Sequence, residues 1–158
     1  MTDDKAIEQA LLFSASSKLP IPELYANVRA RKKGVVQLLD PRAVISREHA
    51  LGAYINARQA FAERTNIAKT PAMEMLLFAA MTKQISDAIR ITGAKSSGDF
   101  VLFCSDRAAY SGIAQLFSTH SEFRPPKAHS AAAAKRFSMK DCATASILQG
   151  MAMSRLGD

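Results

Sequence analysis

Runs of apolar residues, and the spacing between them, divide this chain into alternating short strands and longer helices. Ala10 to Ser14 (ALLFS) reads as a short strand. From Pro20-Ile21-Pro22-Glu23 a helix opens, with Leu24 and Val28 one turn apart on its inner face, and it runs into Arg29-Ala30-Arg31-Lys32-Lys33 before Gly34. Cations there offset the negative end of the helix, and Gly34 is expected to take the left-handed cap. Val35 to Leu39 (VVQLL) is the next strand, stopped by Asp40-Pro41.

Ser46 is placed to cap a helix from Arg47 to about Arg64. Its alanines at 50, 53, 57 and 60 recur every three or four residues, a small-residue stripe that lets a second helix approach closely. One further long helix is expected from Pro71 to about Thr92, with Met73, Leu77, Met81, Ile85 and Ala88 on one face, stopping at Gly93. Asp99 to Cys104 (DFVLFC) is a buried strand, and Asp106 caps a helix reaching about Ser118. Thr119 to Ser130, with its Pro-Pro pair, reads as a loop. A short helix start at Ala131 to Ala134 follows, then a helix signalled by Ser138-Met139-Lys140-Asp141 that breaks near Gly150. The remaining MAMSRLGD is a loose end or, with Gly150, a docking tail over 150–158. This order predicts an α+β fold, mostly helical, around a small antiparallel sheet.

At 158 residues the chain suits a single domain, 1–158, and is short for two ordinary ones. No apolar run approaches the roughly 20 residues that cross a bilayer, and the acidic start MTDDKAIEQ lacks the basic-then-apolar order of a secretory signal. A cytoplasmic protein is therefore expected. Cys104 and Cys142 lie apart in apolar contexts, as free thiols in a reducing compartment do. The net charge of +7 attracts polyanions over a Debye length of about 10 Å, and it also serves plain solubility.

Catalytic chemistry is hard to draw. No glycine-rich loop follows a strand, and no nucleophile stands beside a base in a recognisable spacing. His120, Glu122 and His129 could be joined as metal ligands but fall in the expected loop without helical spacing, and they read as surface residues. His49, in the first turn of a helix, could pack, cap or act. No catalytic residue, metal or cofactor is expected.

The junction NIAKTPAME, Asn66 to Glu74, is the informative stretch. Thr70 and Pro71 suit the cap and first position of a helix. A helix mouth also presents N–H groups and partial positive charge, so Lys69 beside it could make a phosphate site, with Asn66 for base edges and Ile67 as an apolar face for a base. Plain capping and RNA contact both remain open from these residues. Lys83 and Gln84 are polar positions farther along the same expected helix.

From Ser46 to Lys95 the chain resembles the small regulatory subunit of the KEOPS complex, the PRPK-binding protein family. The resemblance rests on the REH helix start, the NIAK joint, the ME-x-LL-x-A-A-x-x-x-QI-x-x-AI run and the closing G-x-K. VVQLLD, DFVLFC and the terminal ILQGMAMSRL fit the same order more weakly. The resemblance implies a non-catalytic subunit in the complex that installs threonylcarbamoyl on the adenosine next to the anticodon of ANN-decoding tRNAs. Such a subunit binds and stimulates an atypical kinase/ATPase subunit and, in archaeal members, grips the single-stranded 3′ CCA end of tRNA; no small-molecule substrate and no membrane partner are expected. By motif position, Asn66, Ile67, Ala68 and Lys69 would lie at the CCA site, with Lys83 and Gln84 as further candidates. The tail residues Met151, Met153 and Leu156 would assist kinase binding. The His120 to Lys135 region matches no feature of that family, and Gln149-Gly150 stand where a more regular helix is expected. A protein-only scaffold of a kinase complex, and a small enzyme with an unrecognised site, are the alternatives.

Overall fold

A computed structural model describes residues 2–31 and 33–123. The expected helices from Ala131 onward, Cys142 and the tail lie outside the described residues. The described residues divide into two compact units, 2–41 with Ala94–Phe123, and Arg42–Gly93.

The first unit is built on a four-stranded antiparallel sheet of β1 (Leu11–Ser16), β2 (Val36–Leu39), β3 (Phe100–Cys104) and β4 (Ser118–Glu122), in the order β2-β3-β1-β4. Side chains alternate across a strand, so the register decides which residues meet on one face. Cys104 pairs with both Leu11 and Val36, and Leu102 with both Phe13 and Leu38. These residues form one apolar face with Phe100 and Ala15. Helices α2 (Ile21–Arg31) and α6 (Arg107–Ile113) cover it with Leu24, Val28, Ala109 and Ile113, each helix offering two residues one turn apart. All five residues of β3 are buried, as its unbroken apolar sequence predicts.

Gly34, at φ 78°, holds the left-handed conformation expected after α2. A Cβ there would also lie 2.6 Å from Ser105 Oγ, which accepts a hydrogen bond from the Val35 N–H. Asp106 caps α6 as expected, its carboxylate accepting from the Ala109 N–H at 2.8 Å. That helix stops at Ile113, passes through a 3-10 turn (Ala114–Leu116) and gives way to β4, where the sequence predicted helix and then loop. The strand has no apolar alternation to announce it. It is held by pairing with β1 through a register shift at Ser14/Ala15, and by bonds from His120 to Ser16 and Tyr110 to Thr119. The N-terminal α1 (Asp3–Gln9) was likewise not predicted; Thr2 caps it and only Ala6 is buried.

The second unit contains α3 (Arg47–Glu63), α4 (Pro71–Ala80) and α5 (Ile85–Thr92). Ser46 caps α3, accepting from the His49 N–H. The stripe of Ala50, Ala53, Ala57 and Ala60 is buried, and α4 packs along α3. The single long helix expected from Pro71 to Thr92 is in fact two. Met81 turns left-handed at φ 55°, its N–H bonding to Phe78 O and that of Thr82 to Leu77 O. This paired closure normally uses glycine. Thr82 Oγ1 then accepts from the Gln84 N–H, a local bond that competes with helix continuation. Lys83 and Gln84 therefore sit between two helices. The end of α3 closes in the same way, with Arg64 left-handed at φ 59°.

Two buried polar side chains fasten this unit. Thr92 Oγ1 lies 2.9 Å from Ala88 O and 3.4 Å from Leu76 O, tying α5 to α4. His49, 1% exposed, accepts from the Ile45 N–H at Nδ1 (3.2 Å), which places its proton on Nε2 for donation to Ala79 O (3.0 Å). Burial lowers its pKa to about 4, against the opposing pull of the Ala79 carbonyl. His49 is thus a neutral bridge from the start of α3 to the end of α4.

Candidate functional site

The segment joining α3 to α4 spans residues 64–70, between a left-handed Arg64 and the cap at Thr70. Thr70 Oγ1 accepts from the Met73 N–H at 3.2 Å and Thr70 O from the Glu74 N–H at 3.0 Å, while Pro71 has no N–H to satisfy. The capping expected of Thr70 and Pro71 is present.

The side chain that fastens this joint is Glu74. Its side chain is fully buried, and Oε2 accepts from the N–H groups of Ile67 (3.0 Å) and Ala68 (2.7 Å). Asn66 Nδ2 donates to Ala68 O at 3.0 Å. The peptide groups around Ala68 are therefore gripped from both sides, and Ala68 is 1% exposed. Ile67 and Lys69 point the other way: Ile67 is 42% exposed and Lys69 is exposed. A charged acceptor on two backbone donors is a strong arrangement, about twice a neutral pair.

Of the residues assigned to RNA contact, Ile67 and Lys69 are thus presented to solvent, whereas Asn66 is half-buried and Ala68 is packed inside. Lys83 and Gln84 lie beyond the other end of α4, a helix of ten residues and so about 15 Å long. The structure does not gather all six residues at one point. The sequence gives Glu74 no role beyond its place in the ME-x-LL run. A reciprocal cap is recognised by an acidic residue three positions after the capping residue, and Glu74 stands four after Thr70, with its bonds made to residues upstream of the cap. A buried Glu in an apolar helix, MEMLLFAA, was the available signal.

Met151, Met153 and Leu156 lie outside the described residues, as does His129. Among the described residues no three His, Cys, Asp or Glu side chains cluster as a metal site, and no helix is long and apolar enough to cross a membrane. The α2 terminus carries Arg29, Arg31 and Lys33 on exposed positions. A shallow cleft of about 400 Å³ in the sheet unit is lined by Ser17, Lys18, Leu19 and Gln115 to Ser118.

The geometry defines an α+β protein whose helical unit holds a short loop in a fixed shape with selected side chains turned outward, a construction suited to binding. A family model described as kinase binding protein CGI-121 matches residues 5–124, and the chain belongs to that family. This is the family of the KEOPS small subunit that the Ser46 to Lys95 stretch resembles, and the match extends the likeness across both structural units. None of the curated proteins matches the chain.

Proposed function

We propose that this chain is a non-catalytic KEOPS subunit that binds and stimulates the atypical kinase/ATPase subunit and holds the 3′ CCA end of substrate tRNA during threonylcarbamoyladenosine formation. Membership of a kinase-binding family supports the kinase partner. The observation that carries the RNA role is the pairing of an exposed Ile67 with an exposed Lys69 on a loop fixed by its own hydrogen bonds. Ile67 offers an apolar face to an unstacked base, and Lys69 neutralises a neighbouring phosphate. Contacts of this kind contribute about 1–3 kcal/mol each, so binding by the subunit alone is modest and weakens with salt. The tail residues Met151, Met153 and Leu156 would join the kinase surface.

A protein-only scaffold is the second reading. It is favoured by the inward disposition of Asn66 and Ala68, which leaves two of the four loop residues to meet RNA. Co-purification with the cognate kinase, followed by titration with intact and CCA-trimmed tRNA, separates them. The proposal expects trimming to abolish most of the binding. Equal binding of both tRNAs supports the scaffold.

A further inference from the structure

Helix mouths and turns bind phosphate through their backbone N–H groups, and the sequence around Thr70 invites that mechanism here. The structure has placed a carboxylate of its own in that position. Resting on the reading of this loop as an RNA contact, we infer that Glu74 is its positioning residue: the buried carboxylate occupies the Ile67 and Ala68 N–H groups, so the loop meets RNA with side chains and not with its backbone.

Three observations converge on this. Glu74 is 0% exposed, on a helix whose next six residues, Met75 to Ala80, are also buried, so its carboxylate is set on a rigid support. Both bonds go to consecutive amides, at 3.0 and 2.7 Å, which fixes the orientation of the peptide plane between Ile67 and Ala68. The bond from Asn66 Nδ2 to Ala68 O holds the next carbonyl, so the turn that puts Ala68 inside must put its neighbours outside. A phosphate approaching the same two N–H groups would meet a negative charge already bound there. Affinity for RNA then depends on how much of the time Ile67 and Lys69 are held in the outward arrangement, since apparent affinity scales with the fraction of the competent state.

The test uses the full chain and Glu74→Gln, which keeps the size of the side chain but leaves a neutral oxygen to serve two donors. In the wild-type chain the Ile67 and Ala68 amides should exchange with solvent slowly, although they lie in a surface loop. In E74Q their exchange should quicken at least about tenfold while the amides in the middle of α4 keep their protection, and affinity for CCA-ended tRNA should fall about tenfold. If E74Q does not fold, Glu74→Asp, with the charge kept on a shorter reach, replaces it in both measurements and should show the same directions. Rapid exchange of both amides in the wild-type chain overturns the inference without any variant. RNA affinity that is unchanged or increased in a folded variant with loosened amides also overturns it, and leaves the RNA reading standing. Absence of CCA-dependent binding by the wild-type chain overturns the RNA reading and this inference together.

Discussion

Lowering the pH from 7 to 5 should remove about 2 kcal/mol of this protein's stability through His49 alone. The side chain is buried and neutral, with Nδ1 accepting from Ile45 and Nε2 donating to Ala79 O. Protonation would put a second hydrogen on Nδ1, against the Ile45 N–H, and would bury a charge. Burial accordingly holds the folded pKa at about 4, while the unfolded chain keeps the ordinary value of 6.5. Between those values the unfolded state binds more protons, so stability is full above pH 6.5 and falls as the pH drops through the window toward 4. Below that both states are protonated and the term is flat. At about 1.4 kcal/mol per pKa unit the whole window is worth roughly 3 kcal/mol, of which about 2 is lost by pH 5.

Urea melts at pH 7 and pH 5, for wild type and His49→Gln, isolate this term because other titrating groups contribute alike to both proteins. Gln can still donate toward Ala79 O but leaves the Ile45 N–H without its acceptor, so the variant should be weaker at pH 7 by about 1–3 kcal/mol, a gap that closes on acidification. The wild type should lose about 2 kcal/mol more than the variant on acidification. Equal losses, or a histidine resonance for position 49 that titrates near 6.5 in the folded chain, would refute the buried-bridge assignment.

Reversing the loop charge with Lys69→Glu should weaken CCA-ended tRNA binding about tenfold at low salt while moving the unfolding midpoint little, as befits an exposed side chain; an unchanged titration counts against the site. Gly34→Ala should destabilise by about 2 kcal/mol in denaturant melts, from the left-handed backbone and from the Cβ pressed on Ser105 Oγ, and a neutral result would show that the turn rearranges freely. Burial, aided by the negative charge of Asp106, pushes the Cys104 thiol up to about 12. Peptide mapping after iodoacetamide treatment of the native chain at pH 8 should find Cys104 unmodified, and alkylation before unfolding would contradict its place in the sheet core.

The parts of the fold legible in the sequence are those where one residue type has a local reason to be there. Ser46, Thr70 and Asp106 cap the helices they were read to cap, because a short oxygen-bearing side chain before an apolar period has little else to do. VVQLL and DFVLFC are strands because β-branched and aromatic runs of that length fit a covered sheet. The break at Met81 to Gln84 had no such marker. A methionine took the left-handed position without a glycine, and apolar spacing ran on through the gap, so the period alone implied one helix. In the loop, Thr70 and Pro71 mark the helix start, but the bonds that hold the segment before it run from Glu74 to residues six and seven positions upstream. Spacing rules written for helix faces and caps do not reach that pattern.

β4 was missed because Ser-Thr-His-Ser-Glu resembles a loop, and that same blandness has a use. It forms one edge of the sheet, and the flanks of an apolar edge strand would be a template on which a second copy could add its own strand. Polar, largely exposed side chains and a register shift against β1 make that edge a poor surface for self-association. A member of a kinase-binding family gains from a sheet edge that does not recruit copies of itself.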